Sequence, residues 1–242
     1  TMEEYIRVKE LITKNQGPAD TCILNYEDER TREFGTQVKA QVLYFSSRHK
    51  LERGIYLDQG SIIYKNPEEV KLCDVKELQI LGTHNYENVM AAAGMAAVYG
   101  VPMEVIREAV LAFKGVEHRI EFVAEKQGVA YYNDSKGTNP DAAIKAIQAM
   151  NRPTVLLGGG YDKDSEYTQW IQAFDGKVKK LILMGQTREK IAKDAEKCEK
   201  KRGEILREKG APCACPFSAD AALTCTRKYA RTRRTGRERC RE

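Results

Sequence analysis

The chain has 242 residues, 42% hydrophobic and 31% charged, enough for one complete domain plus part of another. This excludes a mini-protein, a wholly disordered chain and a collagen-like one. The net charge of +5 is unevenly spread, with net +7 in residues 199–242 and −2 in residues 1–198, so the body of the chain is mildly acidic and lacks the overall basic balance of a nucleic-acid binder.

No stretch approaches the roughly 18 uninterrupted apolar residues of a membrane span, and the acidic, amphipathic start TMEEYIRVKE does not read as a signal peptide. A cytosolic location and no membrane partner are expected. Residues 1–15 read as a helix with Met2, Tyr5, Ile6, Val8 and Ile12 on one face and Lys9 near the middle of it. After a break at Gly17-Pro18 come β-type runs at 21–25, 42–45, 54–57 and 61–64, the last two joined as a hairpin through Asp58-Gln59-Gly60. Helices follow at 85–99 and 103–114, the second opening after Pro102 and stopping at Gly115.

From Val116 the rhythm becomes strand, helix, strand, with strands expected at 129–133, 154–157 and 180–184 and helices at 140–150, 167–174 and 187–197. That alternation predicts an α/β domain with a parallel sheet and crossover helices. Residues 133–138 and 158–163 each sit just past the carboxyl end of a strand, the edge of an open α/β sheet where ligands bind.

After Cys198 the pattern dissolves, no further strand is found, and the strand at 180–184 is expected to be an unpaired edge. Cys198, Cys213, Cys215, Cys225 and Cys240 crowd this end, while Cys22 and Cys73 alone precede them, which fits a reducing compartment without a disulfide framework. Residues 199–242 read as a solvated basic tail, as a nucleic-acid-binding tail, or as sequence translated out of frame.

Five places could carry chemistry. Lys9 on an apolar helix face either snorkels to water or serves where its amine is modified or deprotonated. Gly82-Thr83-His84-Asn85-Tyr86-Glu87-Asn88 is either a helix cap or a pair of amides, Asn85 and Asn88, three apart on one face and suited to a nucleobase. His118 and Arg119 are a surface pair or, at the switch between the two regimes, a phosphate contact. The run Tyr132-Asn133-Asp134-Ser135-Lys136-Gly137-Thr138-Asn139 favours a turn by composition, yet it also sets Lys136 and two hydroxyls before a helix start where an anion could sit. Gly158-Gly159-Gly160 permits a close backbone approach and leads to Lys163, without matching either GxGxxG or GxxxxGK[ST].

Together these segments resemble the Mur ligases of bacterial peptidoglycan synthesis, and within them the branch that adds D-glutamate. The resemblance covers roughly residues 1–197 and rests on the motifs at 82–88, 117–121 (Glu-His-Arg-Ile-Glu), 133–139 and the glycine run ending at Lys163, four in the family's order. It implies that residues 1–115 are the end of a central ATPase domain, that 116–198 are an incomplete Rossmann-like C-terminal domain, and that 199–242 are a disordered or out-of-frame tail. The UDP-binding domain, the phosphate-binding loop and other magnesium ligands of the family are not found in this sequence. On this resemblance the chain looks like a fragment, inactive alone.

The reaction implied is ATP-dependent amide formation between D-glutamate and UDP-N-acetylmuramoyl-L-alanine through an acyl phosphate, with ATP and magnesium as cofactors, and with a monomer and no nucleic-acid partner expected. By the same resemblance Lys9 matches a carbamylated lysine that ligates magnesium. Asn85 and Asn88 match adenine-side contacts, and His118, Arg119 and Asp134 match contacts to the ATP ribose and phosphates. Lys136 and Thr138 fall at the phosphate and amino-acid junction, and Lys163 at a D-glutamate carboxylate. The alternative is a non-catalytic folded remnant or interaction module.

Overall fold

The structure, a computed structural model, describes residues 1–198, 204–207 and 222–226. They fall into two compact units: Thr1–Gln79 with Thr83–Phe113, and Ile80–Gly82 with the described residues from Lys114 on.

The first unit is built on strands β1 (Thr21–Asn25), β2 (Gln41–Ser46), β3 (Gly54–Asp58), β4 (Ser61–Lys65) and β5 (Glu69–Asp74), which lie side by side in chain order. β1, β2 and β3 run parallel, and β3, β4 and β5 form an antiparallel meander. The β3–β4 hairpin turns on Gln59 and Gly60, at φ +47° and +83°, the double left-handed step whose twist matches the flanking strands. Ile55, Tyr56, Ile62 and Leu72 are completely buried in this sheet. Helix α3 (Thr83–Val98) packs on β1, β2 and β3, and α4 (Met103–Ala112) on β5.

Helix α1 (Met2–Glu10) ends sooner than the expected 1–15 and continues as a 3₁₀ turn, Leu11–Thr13. The Thr1 hydroxyl accepts the Glu4 N–H to cap it. Its apolar face is not buried: Met2, Tyr5, Val8, Leu11 and Ile12 are all more than half exposed. Lys9 is exposed as well. Helix α2 (Glu29–Gly35) is absent from the sequence reading because seven mostly polar residues show no apolar stripe. Its start is set by Asp28, whose carboxylate accepts the N–H groups of Arg30 and Thr31.

The second unit contains β6 (Glu121–Lys126), β7 (Val129–Asp134), β8 (Thr154–Gly158), β9 (Val178–Leu183), β10 (Glu204–Arg207) and β11 (Ala222–Thr226), with helices α5 (Pro140–Ala149), α6 (Thr168–Gln172) and α7 (Arg188–Glu196). The sheet order is β10-β9-β8-β11-β7-β6. β8, β9 and β10 are parallel, β11 is antiparallel to both β7 and β8, and β6 is antiparallel to β7. The three expected strands, β7, β8 and β9, therefore share one direction, β10 runs with them, and the antiparallel β11 and β6 complete the sheet.

Two strands also appear where none was found by sequence. β10 pairs with β9 from Glu204↔Lys180 to Arg207↔Leu183, so β9 is not the unpaired edge the sequence predicts. β10, Glu-Ile-Leu-Arg, offers only two apolar residues between charged ones, and β11, Ala-Leu-Thr-Cys-Thr, is half small or hydroxyl-bearing, so neither stands out as an apolar run. The rest of the expected disordered or out-of-frame tail lies outside the described residues.

Leu156, Leu181 and Leu183 from the sheet meet Ile147, Trp170, Ile171, Phe174 and Ile191 from the helices in one buried core. Tyr167, Trp170 and Phe174 pack edge to face at centroid distances of 6.1 and 5.3 Å. Among the described residues no helix is long and apolar enough to cross a membrane.

Candidate functional site

The second unit assembles its polar residues at the carboxyl ends of β7 and β8. β7 delivers Asn133 and Asp134, and α5 begins six residues later with Asn139 as its N-cap, accepting the Ala142 N–H at 2.8 Å, and Pro140 in its first turn. The intervening loop folds back on the 117–121 segment: Lys136 donates its backbone N–H to the His118 oxygen at 2.9 Å, and Gly137 donates to the Asp134 oxygen at 2.8 Å. His118 and Ile120 both adopt positive φ, +67° and +44°.

Asp134 is buried and holds this arrangement. Its Oδ1 accepts the Ile120 N–H at 3.0 Å, while Oδ2 is buried without a partner. Burial pushes its carboxyl up to about 6, against the Ile120 N–H bond and the neighbouring Arg119 guanidinium, which pull it down. A side chain at position 137 would place its Cβ 2.5 Å from Oδ2, so glycine there leaves this oxygen its space.

His118 sits in a polar cage. Asn133 Nδ2 lies 2.8 Å from His118 Nδ1 and 3.3 Å from Glu121 Oε2. Glu121 Oε2 accepts the His118 backbone N–H at 2.9 Å and stands 3.4 Å from Nδ1, and Glu117 Oε1 stands 3.6 Å from Nε2. Arg119 and Lys136 carry exposed side chains, and Thr138 is half-buried.

The loop after β8 is fixed from beneath. Gly159 has φ +121°, and a Cβ there would fall 2.1 Å from the Met184 carbonyl oxygen. The fully buried Thr187 accepts the Gly160 N–H at 2.9 Å. Lys190, from α7, reaches both Asp162 and Asp164 at 3.3 Å, so those carboxylates have a cation of their own. Lys163 Nζ donates to the Thr138 carbonyl at 3.1 Å, which brings the two loops together. Beside them a small cavity is lined by Asn139, Pro140, Gly158, Gly159, Tyr167, Trp170 and Ile191.

The structure thus groups His118, Arg119, Asp134, Lys136, Thr138 and Lys163 in the second unit. Lys9, Asn85 and Asn88 belong to the first. Asn85, half-buried, and Asn88, exposed, lie in the first two turns of α3. Lys9 Nζ stands 5.3 Å from the centre of the Tyr5 ring, a contact that favours a cationic amine. Asn133, Glu121, Thr187 and Lys190 were not singled out by sequence. Glu121 closes the motif at 117–121 and Asn133 opens that at 133–139, and Asn133 also starts an Asn-x-Ser turn, its Oδ1 accepting the Ser135 N–H at 3.1 Å.

The donor set suits an anionic ligand. Arg119, Lys136 and Lys163 supply cations, while Asp134 Oδ2 is buried without a hydrogen-bond partner. Magnesium is different: among the described residues no group of three or more His, Cys, Asp or Glu side chains is placed to hold a metal.

Comparison with known proteins gives two family matches along the chain. Residues 1–96 match the profile of the Mur ligase middle domain, and residues 118–215 that of the Mur ligase, glutamate ligase domain. The chain is 61% identical over 198 residues to UDP-N-acetylmuramoylalanine--D-glutamate ligase of Lachnoclostridium phytofermentans, covering 81% of this chain and 44% of that protein. This chain belongs to the Mur ligase family. The enzymes of the same name from Lachnospira eligens and Thermoanaerobacter sp. are 52% and 48% identical, over 81% and 85% of this chain and 44% and 46% of theirs. The chain therefore spans less than half the length of these relatives. Among solved Mur ligases, MurF from Acinetobacter baumannii superposes with a TM-score of 0.60 at 20% identity, over 86% of this chain and 46% of that one. UDP-N-acetylmuramate-alanine ligase MurC from Thermotoga maritima gives 0.59 at 16%, over 86% and 47%. At those identities the likeness concerns the fold.

Proposed function

We propose that this chain serves an ATP-dependent ligase that adds D-glutamate to UDP-N-acetylmuramoyl-L-alanine. The observation that carries the reading is the Lys163–Thr138 contact. It sets a lysine at the junction of two strand-end loops, in a chain 61% identical to a ligase of that name. In this reaction the alanyl carboxylate takes the γ-phosphoryl group of ATP, ADP leaves, the amine of D-glutamate attacks the acyl phosphate, and phosphate departs from the tetrahedral intermediate with loss of the amine proton.

The residues named above divide this work. Arg119 and Lys136 stabilise the charge that spreads over the transferring phosphoryl group, and His118 donates to the nucleotide. Asp134 takes a ribose hydroxyl, with Asn85 and Asn88 at the adenine. Lys163 holds a carboxylate of D-glutamate while Thr138 borders the incoming amine. Lys9 enters as a carbamate, an anion made from a cation, and its exposure in α1 leaves the amine accessible to that modification. The chain works as a monomer in the cytoplasm.

The test is a hybrid of the Lachnoclostridium phytofermentans enzyme in which the 198-residue matching segment is replaced by this chain's. ATP-dependent coupling of D-glutamate supports the proposal; a folded hybrid that couples none, or prefers another amino acid, rejects it.

A further inference from the structure

We propose that Asn133 is a positioning residue that fixes the tautomer of His118, holding it with its proton on Nε2 as a donor toward the nucleotide. The nucleotide half of this statement rests on the function proposed above; the tautomer half rests on geometry alone. The orientation of the Asn133 amide is set by the backbone. Ser135 N–H must meet an acceptor and does so at Oδ1, 3.1 Å away, so the other end of the amide is the NH₂ group. That group faces His118 Nδ1 at 2.8 Å and Glu121 Oε2 at 3.3 Å. It has two hydrogens and meets two acceptors.

A proton on Nδ1 would put donor against donor across 2.8 Å. Glu121 Oε2, at 3.4 Å from Nδ1, pulls the other way, because a carboxylate favours a proton on the nitrogen it faces. Asn133 is nearer, and by donating to both it keeps Nδ1 as an acceptor and occupies the carboxylate. Nε2 then carries the hydrogen. On that side Glu117 stands 3.6 Å away on a side chain 73% exposed, which can swing aside for an entering ligand.

The Asn-x-Ser turn does not by itself require asparagine, since aspartate makes the same bond to the Ser135 N–H. This separates a structural role from a positioning one. Asn133→Asp keeps the turn and turns the donor into an acceptor, and Asn133→Ser keeps a turn-forming oxygen and withdraws the donor, leaving Glu121 to act alone. In the full chain labelled with ¹⁵N at histidine, the wild type is expected to show His118 protonated on Nε2 and bare on Nδ1. Both variants should move the proton to Nδ1, with the emission of Trp170, the single tryptophan, reporting that the fold is kept. An unchanged tautomer in the two folded variants overturns the proposal.

The second arm uses the hybrid ligase. Asn133→Asp should raise KM for ATP about tenfold, one hydrogen bond to a charged ligand, with KM for D-glutamate within about twofold, and should add nothing when His118 is already replaced by alanine. A tautomer that switches while KM for ATP stays fixed overturns the positioning role. A wild-type hybrid that is inactive rejects the proposed function instead, and the resonance arm still decides the link between Asn133 and His118.

Discussion

Lys163 Nζ and the carbonyl oxygen of Thr138 lie 3.1 Å apart, so a single side chain joins the loop after β8 to the loop after β7. Lys190 reaches both Asp162 and Asp164 at 3.3 Å. In the hybrid ligase, Lys163→Ala should raise KM for D-glutamate by about tenfold or more and KM for ATP by less than about threefold, as loss of a carboxylate anchor requires. Parallel rises in both constants, measured by coupled ADP release, would show that the lysine does not discriminate between the two ligands.

Asp134 ties stability to pH. Its carboxyl is raised from 3.8 to about 6 by burial, so between those values the folded chain binds more proton than the unfolded one, and stability falls as pH rises. The loss should level off about one unit above the folded value, near pH 7, and be on the order of 3 kcal/mol. The Asp134→Asn substitution keeps an acceptor for the Ile120 N–H and removes the ionisable group. Urea denaturation followed through the buried Trp170 should therefore show wild type losing ground to Asp134→Asn from about pH 4 to about pH 6.5, and parallel pH curves for the two would refute the assignment.

Two glycines of the second unit give a matched pair. Gly159 has φ +121° and a Cβ would meet the Met184 oxygen at 2.1 Å, whereas Gly176, at φ +73°, has nothing within 4 Å. Gly176→Ala should cost about 1 kcal/mol, the left-handed penalty alone. Gly159→Ala adds a clash with backbone and should cost about 3 kcal/mol or more, read from the same denaturation curves. Equal costs would mean that the β8–α6 loop relaxes freely.

Lys9 is testable through chemical rescue. If it acts as a carbamate, Lys9→Ala in the hybrid should lose at least about a hundredfold in kcat, the scale of losing one charge-stabilising group, and short carboxylic acids should restore part of it. Rescue by alkylamines in place of acids would point to a bare ammonium, the form its contact with Tyr5 favours.

Much of this architecture is legible in sequence for identifiable reasons. The β3–β4 hairpin is announced by Gln59-Gly60 between apolar runs, and α5 by Asn139-Pro140, where the cap and the first-turn proline coincide. The carboxyl-end loops follow from the strand–helix rhythm alone. What escapes is what has no apolar run: α2 is specified by one capping Asp28, and β10 and β11 carry too few large apolar residues to stand out. The face of α1 is a different case, since a helical wheel ranks faces by composition and cannot say whether anything packs on them; here the apolar face of α1 is exposed. In the site, motif residues were legible as types, but their partners were not. That Asn133 meets His118, fifteen positions earlier, depends on the β6–β7 pairing, and that Lys190 meets Asp162 depends on where α7 lies against the β8 loop.

The central claim is that these two units serve D-glutamate ligation, and the hybrid ligase tests it most directly. Purified hybrid, given UDP-N-acetylmuramoyl-L-alanine, ATP and a panel of D- and L-amino acids, should release ADP and form one new amide with D-glutamate alone. A hybrid that folds, as judged by Trp170 emission and a cooperative melt, yet couples no D-glutamate or couples another amino acid in preference, would contradict the account.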